Sequence, residues 1–128
     1  MNSRWNTYRA FAFLAASSLV ACASTSLSGE GARVTVVRSA PPPNCTEVAQ
    51  LVGHGGGSFG GRGISNDKLI EYAQNDLRNK AAERGANYVQ QDPPTLGQHE
   101  GTTSTATISG TAYRCPAGEG TQTTAAKP

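Results

Sequence analysis

Few side chains in this sequence could do catalytic chemistry near neutral pH. The chain has two histidines, His54 and His99, and histidine is the side chain whose ordinary pKa lies closest to neutrality. Ser58 lies four residues after His54, and Glu100 directly follows His99. A serine nucleophile, a histidine base and an orienting carboxylate are the parts of a small hydrolase. Surface histidines without a catalytic role are much commoner, so this interpretation stands as the alternative.

Ser58 lies in a glycine-rich segment that matches several catalytic patterns by composition alone. Residues 53–63 (GHGGGSFGGRG) contain seven glycines in eleven positions. Residues 55–60 fit GxGxxG, but that fingerprint requires a strand that leads directly into a helix. Residues 56–60 fit GxSxG, which belongs to a much larger parallel sheet, and the Lys of a phosphate-binding loop is missing. We predict a mobile loop over residues 53–63, because glycine-rich backbone is costly to fix.

A cysteine at the end of an N-terminal apolar run carries the most specific signal. Residues 1–9 contain two arginines and no acidic residue, and residues 10–21 (AFAFLAASSLVA) are apolar but too short to span a bilayer. This pattern predicts a secretory signal peptide. The run ends in LVAC at Cys22 and resembles the lipobox of bacterial lipoproteins. The resemblance implies removal of residues 1–21, a diacylglycerol and an acyl chain such as palmitate on Cys22, and, with Ala23 next, an outer-membrane location facing the periplasm.

The two other cysteines then form an even pair in an oxidising compartment. Cys45 and Cys115 enclose 71 residues, counting both ends. A disulfide between them would stabilise the fold by roughly 4 kcal/mol in the chain-entropy treatment. The alternative is two free or metal-binding thiols. The chain has no CxxC and no recognised histidine ligand spacing, so we expect neither a metal nor a cofactor.

Charge and hydropathy narrow the function classes further. The chain has 11 Lys and Arg against 9 Asp and Glu, and removal of the two signal-peptide arginines leaves nine of each. A neutral body without a basic cluster is not typical of a nucleic-acid-binding protein. No run of 18 apolar residues is present, so the sequence predicts no ordinary transmembrane helix.

The elements that must position these residues form one domain over residues 32–115. Leu69, Ala73 and Leu77 recur at helical spacing, which predicts a helix. Alternating or β-branched segments predict the strands. The helix is predicted over residues 65–84, and the strands over 33–38, 45–52, 86–91 and 102–115.

The order β-β-α-β-β predicts an α+β fold. We expect a small antiparallel or mixed sheet of about four strands, one helix packed on one face and one disulfide. Residues 22–31 are predicted to be the lipidated cysteine and a flexible tether. Residues 116–128 contain no large apolar side chain and are predicted to be disordered.

Two segments resemble a family of small bacterial lipoproteins of unknown function. They are DLRNKAAERGANYV at residues 76–89 and GTAYRC at residues 110–115, and the resemblance extends over residues 31–115. More remotely, the chain is similar to the outer-membrane lipoprotein that senses envelope stress in the Rcs pathway. That protein is understood to have two disulfides, whereas this chain can form one. The resemblance implies a fold and a location, and it implies no reaction.

These observations together predict a non-catalytic interaction module with a stress-related or structural role. Phe59 and Arg62 are residue types that often anchor contacts, so they mark a candidate interaction loop. The expected partners are the membrane, through the lipid, and an envelope protein such as a β-barrel or another lipoprotein, bound by this loop or by a sheet edge. The alternative is a small periplasmic hydrolase that uses Ser58 with a loop histidine.

Overall fold

The computed structural model describes residues 24–57 and 60–116. The predicted signal peptide, Cys22, Ser58, Phe59 and the predicted disordered tail beyond Pro116 lie outside these ranges. Within the described residues, no helix has the length and hydropathy needed to cross a membrane.

One helix, α1 (Asn66–Glu83), forms where the apolar spacing predicts it. The Ser65 side chain caps its first turn by accepting a hydrogen bond from the Lys68 backbone N–H at 3.3 Å. The chain leaves the helix through Gly85, whose φ of +77° is a conformation that glycine adopts without strain. The face turned toward the sheet is buried at Leu69, Ala73, Leu77 and Ala81.

The sheet has five strands and mixed direction, so the α+β class is confirmed and the strand number is one larger than expected. β1 pairs with β3 in parallel, and all other pairs are antiparallel. The additional strand is β4, which follows two prolines and contains a glycine, and therefore has a weak strand pattern. The strands are β1 (Thr35–Val37), β2 (Thr46–Gly56), β3 (Tyr88–Gln91), β4 (Thr95–His99) and β5 (Thr102–Arg114).

The longest strand, β5, is the centre of this sheet. It pairs with β2 along one side, and β3 and β4 lie end to end along its other side. β1 pairs with the outer side of β3, so the strand order is β1-β3-β5-β2 with β4 beside β5. Every second side chain of β5 faces α1, as the alternation predicts; the buried residues are Ser104, Ala106, Ile108, Gly110 and Ala112.

The prediction of a mobile loop over residues 53–63 is wrong for the first four of these residues, which continue β2. Gly53 and Gly55 lie directly beneath α1. A Cβ atom on Gly53 would overlap the carbonyl oxygen of Ala73, and one on Gly55 would overlap that of Leu69. The missing side chains therefore let the helix backbone approach the strand closely, and packing offsets the entropy that glycine loses in a strand.

The prediction of a flexible tether over residues 22–31 is also wrong from Thr25 onward, where the chain is hydrogen-bonded to α1. The Asn75 amide donates to the Thr25 carbonyl at 2.9 Å, and the Asn79 amide donates to the Ser26 carbonyl at 2.8 Å. The Ser28 N–H donates to Asn79 Oδ1 at 2.9 Å. A 3-10 turn (Gly31–Arg33) then leads into β1. The domain thus begins at residue 25, because two helix amides hold a segment whose own composition predicts no structure.

The sheet face turned away from α1, here called the open face, is crossed at one end by the proline-rich connection. This connection joins β1 at one edge to β2 at the other. Tyr88 lies on the open face and is buried, and its hydroxyl is shared between the carbonyls of Ser39 and Ala40 at 3.1 Å each. Its ring meets Tyr113 edge to face at 6.4 Å between centroids, as expected for cross-strand neighbours.

Candidate functional site

The predicted disulfide between Cys45 and Cys115 is confirmed. The two Cα atoms lie 4.2 Å apart, and the bond joins the residue before β2 to the residue after β5. Thr46 and Arg114, the next residues inward, are paired across the two strands. The disulfide therefore closes the end of this strand pair.

Asn87 holds the same end of β5 by a second connection, and its position after the helix indicates a role in satisfying backbone groups. Its Oδ1 accepts from the Cys115 N–H at 2.8 Å, and its Nδ2 donates to the Cys115 carbonyl at 2.9 Å. One side-chain amide thus hydrogen-bonds both the N–H and the carbonyl of Cys115, the residue that follows β5. The signal in the sequence was the position of Asn87 just after the helix-ending glycine.

The candidate interaction loop is attached to the β4–β5 hairpin. Arg62 donates to a Glu100 carboxylate oxygen at 2.6 Å, and both side chains are substantially exposed. Glu100 and Gly101 form the two-residue hairpin turn with positive φ values of 52° and 77°. Arg62 therefore has an intramolecular partner, whereas Phe59 lies outside the described residues.

Of the residues in the hydrolase alternative, the structure describes His54, His99 and Glu100 but not Ser58. His54 stands on the open face opposite Thr107, and it is the His54 backbone N–H that contacts a carboxylate. No hydrogen bond within residues 24–57 and 60–116 uses the His54 imidazole, and Ser58 is not among them. His99 closes β4 opposite Thr102. No group of three His, Cys, Asp or Glu side chains in these ranges could hold a metal ion.

The outer edge of β2 is covered by an ion pair from α1. Lys80 Nζ donates to the Val52 carbonyl at 2.8 Å, and Asp76 Oδ2 accepts from the His54 N–H at 2.9 Å. The two side chains are 2.7 Å apart. The cation and the carboxylate occupy the positions that one N–H and one C=O of a neighbouring strand would take. A bulge between Glu47 and Ala49 further disturbs this edge.

A second ion pair on the same helix makes no such contact. Lys68 Nζ lies 2.9 Å from Glu71, and both side chains are about half exposed. The hydrogen bond to Glu71 and its negative charge raise the pKa of Lys68 above its ordinary value. This pair is a surface feature of α1 and provides a comparison for Asp76 and Lys80.

The outer edge of β4 differs from that of β2. In the described part of the chain, β4 pairs with β5 only, so its other side faces outward. Thr95 to Gln98 include no charged residue, and Leu96 is 39% exposed. Charged groups are a common means by which proteins block strand addition at an edge. β4 therefore offers an edge at which an extended peptide could add to this sheet.

Residues 25–115 match the sequence family described as a domain of unknown function, DUF4156. The chain belongs to this family. The match begins at the residue that first contacts α1 and ends at the second cysteine of the disulfide, so the DUF4156 domain includes the N-terminal segment. No curated protein matches the chain significantly.

Proposed function

We propose that this DUF4156 protein is a lipid-anchored, non-catalytic interaction module of the bacterial envelope with a stress-related or structural role. The observation that carries the proposal is the contrast between the β2 edge and the β4 edge of the sheet. The Asp76–Lys80 pair occupies the β2 edge, whereas β4 presents an uncharged edge with an exposed Leu96. An edge of this kind binds an extended segment of another protein by backbone hydrogen bonds.

The anchor part of the proposal rests on the N-terminal sequence. A signal-type apolar run ends in a lipobox-like LVAC at Cys22, and the matched domain begins three residues later. Two or three acyl chains on Cys22 would give a stable attachment, since a single chain binds only marginally. The proposed location is the outer membrane, with the domain in the periplasm.

Cell fractionation of the wild type and of Cys22→Ser tests the anchor. We expect the wild type in the outer-membrane fraction, with acyl chains on Cys22 in its mass spectrum. Cys22→Ser should be soluble in the periplasm or retain its signal peptide. Wild-type protein in the soluble fraction with an unmodified Cys22 thiol would refute the anchor.

Photo-crosslinking in cells tests the interaction. A photoreactive amino acid at position 96, on the β4 edge, or at position 59, in the candidate loop, should give a discrete adduct with one envelope protein. The same probe at the exposed Glu83 of α1 is the matched control and should not give that adduct. If positions 96 and 59 give no adduct across growth and stress conditions, the interaction proposal fails.

An esterase and peptidase screen on purified protein distinguishes the proposed non-catalytic interaction module from the hydrolase alternative. We expect no activity that depends on Ser58. Turnover that disappears in Ser58→Ala would contradict the non-catalytic assignment.

A further inference from the structure

We infer that the outer side of α1, around Asn75, lies against the headgroups of the membrane, and that the open face of the sheet points away from it. The inference rests on the proposed lipidation of Cys22 and adds an orientation to it. Its basis is the short length of chain between the lipidated residue and the first residue that contacts the helix.

The reach of the chain sets the first constraint. Thr25 is three residues after Cys22, and three extended residues span at most about 11 Å. The Thr25 carbonyl is held by the Asn75 amide at 2.9 Å, on the side of α1 away from the sheet. If acyl chains draw Cys22 to the headgroup level, Thr25 must be within about 11 Å of the same level. The Asn75 amide of α1 lies only 2.9 Å further, beyond the Thr25 carbonyl oxygen.

The attachment is made over a full turn of the helix, so it does not act as a single pivot. Thr25 contacts Asn75, and Ser26 and Ser28 contact Asn79, four positions further along α1. Positions four apart lie on the same side of a helix. The N-terminal segment therefore runs along α1 and is held at both ends of that turn.

The surface near this attachment is compatible with lipid headgroups. The exposed Lys68 and Glu71 of α1 compensate each other's charge, so this pair gives no net repulsion from a zwitterionic or anionic surface. Leu27, within the attached segment and two residues after Thr25, is 37% exposed and offers an apolar contact close to the tether. The partner is thus a phospholipid headgroup layer, and the short tether keeps the outer side of α1 against it.

The open face must then point outward. Ser109, with the rest of the open face, lies on the opposite side of the sheet from α1 and is exposed. A helix about 10 Å in diameter, together with the sheet itself, separates the two surfaces. A contact quencher confined to the headgroups can distinguish these positions.

The experiment uses the full lipidated chain in vesicles of phosphatidylethanolamine and phosphatidylglycerol that contain a headgroup-nitroxide phosphatidylcholine. A fluorophore is attached to Glu71→Cys on α1 or, as the matched control, to Ser109→Cys on the open face. We expect several-fold stronger nitroxide quenching at position 71 than at position 109. Equal quenching, or stronger quenching at position 109, overturns the orientation.

Two further measurements separate the orientation from the anchor. Co-flotation of the labelled protein with vesicles reports the anchor, so loss of flotation refutes the proposed lipidation, whereas flotation with equal quenching refutes only the orientation. A ten-residue Gly/Ser insertion between Ser24 and Thr25 should retain flotation and abolish the difference between positions 71 and 109. Persistence of that difference would show that the short tether does not set the orientation.

Discussion

At the scale of single residues, side chains of α1 provide hydrogen-bonding partners for backbone that no strand or helix satisfies. Asn75 and Asn79 bind the N-terminal segment, and Asp76 and Lys80 bind the edge of β2. An amide offers a donor and an acceptor together, as a peptide group does, and an adjacent cation and carboxylate do the same. The helix thus extends the backbone hydrogen bonding of the domain on two sides.

Replacement of Asn79 should release the N-terminal segment. Asn79→Ala removes two hydrogen bonds, to Ser26 and Ser28, and we expect a loss of about 1–2 kcal/mol in the free energy of unfolding. Amide hydrogen exchange over residues 25–31 should rise, with little change in β5. Asn66→Ala, at the exposed start of the same helix, is the control. Unchanged exchange over residues 25–31 would mean that these hydrogen bonds do not hold the segment.

Removal of the Asp76–Lys80 pair should expose the β2 edge. The double variant Asp76→Ala, Lys80→Ala leaves the Val52 carbonyl and the His54 N–H without these partners, and we expect a loss of about 1–2 kcal/mol in stability. Concentration-dependent self-association should also increase in analytical ultracentrifugation, because the edge can then pair with another chain.

The matched control for the β2 edge is Lys68→Ala, Glu71→Ala, which deletes an ion pair of similar length from the same helix. Since this pair touches no strand, stability and self-association should change little. If both double variants lose the same stability and self-associate to the same extent, the Asp76–Lys80 pair does not protect the β2 edge.

At the scale of elements, the distance between α1 and β2 depends on glycine. Gly53→Ala should destabilise the domain by about 1–3 kcal/mol, because the new methyl group overlaps the Ala73 carbonyl and forces helix and strand apart. Gly57→Ala, in the same segment, meets nothing within 4 Å and serves as the control. Urea denaturation of both variants measures the difference. A Gly53→Ala midpoint equal to that of Gly57→Ala would exclude close packing as the reason for this glycine.

The sequence was sufficient to predict those elements whose capping residues and hydrophobic pattern lie within the element itself. The helix was predicted to within a residue at each end, because the Ser65 cap, the apolar stripe and Gly85 are all encoded within the segment itself. The alternation in β5 and the cysteine pair were equally direct. Of the candidate interaction loop, the structure describes Arg62 and pairs it with Glu100 across 38 positions, which no local pattern indicates.

The remaining features depend on distant contacts. Gly53 and Gly55 belong to a strand because a helix lies over them, and residues 25–28 are fixed because of Asn75 and Asn79, about fifty positions away. β4 has almost no strand pattern of its own and forms on the side of β5 that β3 leaves uncovered. Local periodicity cannot report contacts of this kind.

At the scale of the whole molecule, the disulfide stabilises a domain with a thin core. The buried hydrophobic residues include many alanines, and the few large side chains fully enclosed are Leu69, Leu77, Val89 and Ile108. The double variant Cys45→Ser, Cys115→Ser should lose roughly 4 kcal/mol in the free energy of unfolding, since the bond closes a loop with a sequence separation of 70. Urea denaturation of oxidised wild type and the double variant measures this loss. A loss below about 1 kcal/mol would show that other contacts, such as Asn87 with Cys115, hold the strand ends without it.

The central position of β5 also determines when this chain can fold. Among the elements that the structure describes, β5 comes last in sequence, yet β2, β3 and β4 all pair with it, and β1 with β3 is the one described pair that does not include it. A nascent chain that has not reached residue 102 therefore has no partner for β2 or β4, and β3 finds its partner in β5 only once residues 110–113 are present. Non-local pairing of this kind slows folding. Under the proposed export, this order favours passage of an unfolded chain, because the sheet cannot be completed until β5 has followed the other strands across the membrane.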